Sequence, residues 1–432
     1  MSQICRVPKI CITLPLAYPM FNPAYHALFG GLETRVSLIA RELARRGLFD
    51  VSMVVGDFGQ PHIEQRESIT FYSWVDRDIW GVSRNSQTNT SPKQPSLLHR
   101  GFRRSARYME WFYYRFLIRD ELCSWMSGYP ITPRMLRIYD EVAADLYLVP
   151  GNTIFAAEAA FYCSRRGKPF MLQAGSDLDF EPVNPGNSRK KDIYGTPHSM
   201  KAYAIDRAAV HIVQNEHQAQ LLNEGYHRSA VIIKNPINPV PLFPRNPSAR
   251  TILWVGKSDE RVKRPALILE LARRLPDYKF VVIMNEATHE SHVKLLKIAK
   301  ELPNVTLLEY VPFELIEHYF ADARLNLNTS VFEGFPNTFL QAGKYGVPMV
   351  SMCVDPGHML SQHGAGLVCG DDFGRLEENV RRLMTDNGLC EELGRNAQVY
   401  VREHHEKDAI IRKYEQVFNT VLSGRETNNE DM

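Results

Sequence analysis

Short β-rich runs alternate with stretches of helical spacing along most of the chain, the pattern of a parallel α/β sheet. In the first half, strands are predicted over residues 9–14, 51–55, 69–73, 145–149, 169–173, 209–213 and 231–233. Between the first two, Val36, Ile39, Ala40 and Leu43 fall on one side of a helix over 32–46. Gly47 ends it, because glycine accepts the left-handed geometry of a helix stop. Pro236, Pro239, Pro241, Pro244 and Pro247 then crowd a segment that fits neither helix nor central strand. Beyond it the alternation restarts. Strands are predicted over 251–255, 279–284, 304–308, 325–328 and 348–352, and helices over 265–275, 289–301, 313–321 and 336–345. A helical stretch over about 376–422 closes the chain. The fold class expected is therefore α/β, with two Rossmann-like, doubly wound domains. Residues 1–235 form the first, 236–249 a linker and 250–405 the second. Residues 406–432 form a C-terminal helix and polar tail packing back towards the first domain. Facing strand ends of two such sheets leave a cleft, where open α/β sheets bind ligands.

A length of 432 residues suits two domains, and 44% hydrophobic with 23% charged residues excludes a disordered or collagen-like chain. Lys and Arg number 51 against 49 Asp and Glu, a balance too even for a nucleic-acid binder. Cys5, Cys11, Cys123, Cys163, Cys353, Cys369 and Cys390 are scattered without metal or redox spacing, which fits a reducing cytosol. The apolar run 9–14 is too short for a signal-peptide core and is followed by Pro15. The best apolar candidate for a membrane span, 146–163, contains Asn152 and Glu158. The expected location is the cytoplasm, at most peripheral at the inner face of a membrane.

The most informative stretch runs from Asn326 to Val350 and contains Glu333-Gly334-Phe335-Pro336-Asn337-Thr338-Phe339 and Gln341. It reads as a strand, a turn, a helix opening at Pro336 and a further strand after Gly346. The amides of Asn337, Thr338 and Phe339 would then be unpaired N-terminal donors backed by the helix dipole, an anion site. Glu333 and Gln341 could both reach one elongated ligand. An ordinary helix start with a capping carboxylate would read the same way over so short a segment.

This stretch closely resembles the donor-binding motif of the retaining GT-B glycosyltransferases of family 4 (glycosyl transferases group 1), of the bacterial surface-polysaccharide type. Gly30-Gly31, with the helix that follows to Gly47, resembles the family's glycine loop and first helix. Val255-Gly256-Lys257 followed by Lys263-Arg264-Pro265 resembles its phosphate-binding segment, and 304–312, with Val311, resembles the strand before its nucleotide pocket. The resemblance implies a hexosyltransferase that uses a nucleotide-diphosphate sugar, with a glycan or lipid-linked acceptor and no metal or other cofactor. Glu333, Lys257 and Lys263 would be catalytic: Glu333 contacts the transferred sugar, and the two lysines stabilise the leaving diphosphate. Gly30, Gly31, Val311, Gly334, Phe335, Asn337, Thr338, Phe339 and Gln341 would bind the donor.

Two departures from the family pattern stand out. A carboxylate that holds the ribose is replaced by Gln341, a neutral acceptor worth about 1 kcal/mol where an ionised one gives roughly 1.5–3. The histidine that usually precedes glycine after the strand at 169–173 is absent. The chain reads Gln173-Ala174-Gly175-Ser176-Asp177-Leu178-Asp179 there, leaving Asp177 or Asp179 as candidates for an acceptor-side or sugar contact. These departures keep two alternatives open: an inactive glycosyltransferase-like binding protein, or a nucleotide-sugar epimerase on the same scaffold. Residues 100–119, if helical, place Phe102, Met109, Tyr113 and Phe116 opposite several arginines, suiting either domain packing or peripheral contact with anionic lipid. A polar loop is expected over 83–96. His211, His217 and His363 lack an orienting carboxylate and are given no catalytic role.

Overall fold

A computed structural model describes residues 6–25, 30–74, 133–181, 190–192, 195–312 and 315–424. The loop at 83–96, the basic segment 100–119, Cys5, Cys123 and the tail 425–432 lie outside the described residues. No helix among the described residues is long and apolar enough to cross a membrane.

The first sheet has the order β3-β4-β2-β1-β5-β6-β7-β8. Its strands are β1 (Lys9–Thr13), β2 (Asp50–Gly56), β3 (Ile63–Arg66), β4 (Ile69–Trp74), β5 (Leu146–Pro150), β6 (Phe170–Gln173), β7 (Val210–Val213) and β8 (Val231–Ile232). All pairings are parallel except β3 with β4. The helices are α1 (Gly31–Arg46), α2 (Pro133–Val142), α3 (Ile154–Arg166), α4 (His198–Arg207) and α5 (Glu216–Tyr226). The apolar run at 146–163 is β5 followed by α3, split at Gly151, whose φ of 84° only glycine adopts freely.

The second sheet is parallel throughout, in the order β11-β10-β9-β12-β13-β14. Its strands are β9 (Thr251–Lys257), β10 (Lys279–Asn285), β11 (Val305–Leu308), β12 (Ala323–Asn328), β13 (Met349–Ser351) and β14 (Gly366–Val368). Around it lie α6 (Pro265–Arg274), α7 (His289–Lys300), α8 (Ile316–Ala321), α9 (Asn337–Lys344), α10 (Phe373–Thr385) and α11 (Asn387–His404), and α12 (Lys407–Leu422) ends the described chain. The helical stretch expected over 376–422 is thus three helices. Asp386 closes α10 and caps α11 by accepting from the Leu389 amide, while Glu406 caps α12 through the amides of Asp408 and Ala409.

The chain passes between the sheets twice, and the two passages are tied together. Ile237 donates to the carbonyl of His405, and Lys407 donates back to Ile237. After the second passage α12 returns to the first sheet, burying Ile411, Val417 and Phe418 with Ile39, Leu43 and Phe49. Arg46 pairs with Asp408 and Lys407 with Glu42 at the edge of that contact.

Candidate functional site

Between the sheets lies a cavity of about 960 Å³, the upper range for small-molecule sites and large enough for a sugar nucleotide. Every lining loop follows the C-terminal end of a strand or opens the helix after it. Gly30, Gly31 and Arg35 come from α1 and its approach, Gly175 and Ser176 follow β6, Gln214 follows β7, and Asn235 follows β8. The second sheet contributes the segments after β9, β10, β11 and β12.

After β9 the chain turns sharply, the Asp259 carbonyl accepting from the amides of both Lys263 and Arg264. Arg264 is left-handed, with φ 48°, and is held there by bonds to the Thr329 carbonyl at 2.9 Å and to Asp371. The turn presents Lys257 and Lys263 to the cavity. Lys263 Nζ lies 2.5 Å from Glu333 Oε1, an oxygen that also accepts from Ser330 Oγ at 2.7 Å and Asn328 Nδ2 at 3.3 Å. The carboxylate and one of the two cations therefore meet directly. The Lys257 ammonium lies instead near Gly30, 3.7 Å from where a Cβ would stand.

The loop after β12 carries most of the donors. The amides of Gly334, Phe335, Asn337 and Thr338 donate to no group among the described residues, and all four residues line the cavity. Phe339 departs from the expectation. Pro336 is the N-cap rather than the first helical residue, so the Phe339 amide donates to the Pro336 carbonyl at 3.0 Å. Its side chain is buried in the core and does not line the cavity. Val311 and Gln341 do line it, and Gln341 Oε1 is buried without a partner, an acceptor open to a ligand hydroxyl.

On the first domain, the Gly30 amide is occupied by Glu33 at 2.7 Å, and Gly31 lies against Asn337, whose Nδ2 donates to the Gly31 carbonyl at 2.8 Å. The glycine loop thus approaches the second domain's loop directly. Asp179 accepts from the amides of Asn152, Gly175 and Ser176, which fixes the turn after β6 and leaves its carboxylate serving the backbone. Asp177 accepts from Gln218 Nε2 at 2.9 Å, and burial holds its pKa above the usual carboxylate value. Neither aspartate lines the cavity.

Arg35, Asn215 and Asn235 were not singled out by the sequence, yet the two asparagines bond across the cleft and Arg35 holds one of them. Asn215 Nδ2 donates to the Gly334 carbonyl at 2.8 Å, and Asn235 Nδ2 to the Phe335 carbonyl at 3.2 Å and to Asn337 Oδ1 at 3.3 Å. Arg35 donates to Asn235 Oδ1 at 2.8 Å and to the Ala174 carbonyl at 2.5 Å. The available signal was positional: Asn215 and Asn235 follow β7 and β8 at the ligand end of the sheet.

With this geometry established, residues 249–386 match the family described as Glycosyl transferases group 1. The match runs from just before β9 to the end of α10. Both lysines, Glu333 and the loop of free amides fall inside the matched residues. A search of curated proteins found no match. Among solved structures, sucrose-phosphate synthase from Thermosynechococcus elongatus is similar over 96% of this chain and 100% of its own, with a TM-score of 0.69 and 15% identity. HepE of Anabaena in complex with UDP is similar over 95% and 100%, at 0.63 and 14%. An α,α-trehalose-phosphate synthase (UDP-forming) from Burkholderia vietnamiensis is similar over 96% and 100%, at 0.59 and 13%. The two sheets with their helices adopt the GT-B fold, two Rossmann-like domains facing one cleft.

Proposed function

We propose that the chain is a retaining glycosyltransferase of family 4. It moves a hexose from a nucleotide-diphosphate donor to a hydroxyl of a glycan or lipid-linked glycan in polysaccharide biosynthesis, at the cytoplasmic face of a membrane. The observation that carries this reading is the meeting, in one cavity, of Lys257, four unpaired backbone amides and a carboxylate already bonded to a second lysine. Amides at a helix start together with a cation make a diphosphate site. The UDP in the HepE complex is the kind of ligand such a site would take.

In the proposed reaction the bond between the anomeric carbon and the β-phosphate oxygen breaks, and its electron pair leaves with the diphosphate. Lys257 and the amides of Gly334, Phe335, Asn337 and Thr338 stabilise that developing charge. The acceptor hydroxyl forms its bond to the anomeric carbon on the face the diphosphate leaves, and its proton passes to a phosphate oxygen. Glu333 holds sugar hydroxyls and offsets positive charge at the anomeric carbon, while Gln341 accepts from the ribose. The positive charge comes from lysines, so the proposal includes no metal.

The test is Glu333→Ala. Transfer and donor hydrolysis, measured across a panel of sugar nucleotides, should vanish while affinity for the nucleotide itself stays close to that of the parent. An active Glu333→Ala enzyme would overturn the assignment. Release of no sugar from any donor by the parent protein, despite tight nucleotide binding, would favour an inactive binding protein.

A further inference from the structure

The Phe335 ring anchors the loop of free amides in its own domain's core, but two of its carbonyls are bonded from outside that domain. Residues 334–337 lie between the end of β12 and the start of α9, and the Gly334 and Phe335 carbonyls are bonded by side chains of the other domain and the crossing segment. A planar trans peptide points its C=O and its N–H in opposite directions. By holding the Gly334 carbonyl at 2.8 Å, Asn215 therefore sets the Phe335 N–H on the opposite side. Asn235 draws the Phe335 carbonyl away in the same manner, and the next residue, Pro336, has no N–H to present.

Asn235 could make this contact with the wrong end of its amide. Arg35 prevents that. Its guanidinium, buried with only 4% exposure, has donors and no acceptor, so the Asn235 oxygen must face it and the NH₂ must face the loop. Arg35 is in turn anchored on the Ala174 carbonyl, and the Asn235 backbone carbonyl accepts from His405 Nδ1 at 2.7 Å. Gly334 packs so closely on this surface that a Cβ there would come within 2.6 Å of Gln214 and 2.8 Å of Gln218.

We propose that Asn215 and Asn235, with Arg35 fixing the second amide, are positioning residues: each occupies a carbonyl of the 334–335 segment so that it does not face the donor's diphosphate, and Asn215 thereby turns the Phe335 N–H towards that group. An unrestrained loop could present those carbonyls to the phosphates, and like partial charges would then repel. The anion site is thus complete only when the two domains are together. This inference rests on the reading of the cavity as a nucleotide-diphosphate site.

Two variants separate positioning from folding. Asn215→Ser keeps an N-cap for α5, where Asn215 Oδ1 now accepts from the Gln218 amide, but its shorter side chain cannot reach the Gly334 carbonyl. Asn235→Asp keeps shape and pairs its new charge with Arg35, but has no N–H to donate. Calorimetry on the full chain compares UDP, GDP or ADP, whichever binds the parent, with its nucleoside. Both variants should melt like the parent and bind the nucleoside unchanged, while diphosphate affinity falls about tenfold or more. Parent-like diphosphate affinity in both variants, or an equal loss for nucleoside and diphosphate, would overturn the inference. A parent that binds diphosphate no better than nucleoside would instead remove the proposed function beneath it.

Discussion

At the scale of single residues, the site depends on where polar side chains are denied water. His405 is fully buried, its ring 4.5 Å from Phe335, with Nδ1 on the Asn235 carbonyl and Nε2 without a partner. Burial lowers its pKa from 6.5 to about 3. The folded protein holds it neutral while the unfolded chain takes up a proton below pH 6.5, so stability is lost as pH falls from there. The expected loss is about 1.4 kcal/mol per pH unit. Denaturant melts at pH 7 and pH 5 should show it, and His405→Gln, whose amide can still donate to Asn235, should flatten the dependence. An unchanged slope would mean that other groups dominate. Glu333, Lys257 and Lys263 were legible because motif order placed them at strand ends. Arg35 was not, because an arginine beside the apolar positions of an amphipathic helix reads as solvated until Asn235 and the Ala174 carbonyl, distant in sequence, bury it. Phe339 was misread by one residue of capping: with Pro336 as N-cap, its amide is already bonded and its ring turns to the core.

At the scale of elements, α9 opens on the cavity with the unpaired amides of Asn337 and Thr338 and packs its back on α11. That contact depends on Gly343, where a Cβ would stand 2.6 Å from a Val401 methyl and 3.0 Å from the Ala397 carbonyl. Gly343→Ala should therefore destabilise the protein by about 1–3 kcal/mol, as overpacking does. Denaturant midpoints check this, and a variant as stable as the parent would show that α11 yields freely. Most strands were legible as β-rich runs between turns. The exceptions are edge strands without an apolar run: β3 is polar at Glu64, Gln65 and Arg66, and β14 is three residues opening on Gly366. The three last helices merged in the reading because no proline or glycine separates them, only the capping acids Asp386 and Glu406.

At the scale of the whole molecule, two sheets share one cleft because the chain crosses twice and α12 locks the return. The alternation of strands and helices, with the proline segment, made this two-part plan legible. The bonds that join the parts were not, because Asn215–Gly334, Asn235–Phe335 and Asn337–Gly31 pair residues separated by 100 positions or more. On the proposed function, the cleft holds a nucleoside diphosphate between Lys257 and the amides of Gly334, Phe335, Asn337 and Thr338. Thermal melting of the full chain with UDP, GDP, ADP and CMP tests it most directly, because a ligand at a hundredfold excess over its Kd adds about 2.7 kcal/mol to stability. At least one diphosphate should raise the Tm by several degrees, CMP should do less, and Lys257→Ala should remove most of the increment. No shift with any nucleotide, or a full shift in Lys257→Ala, would contradict the account.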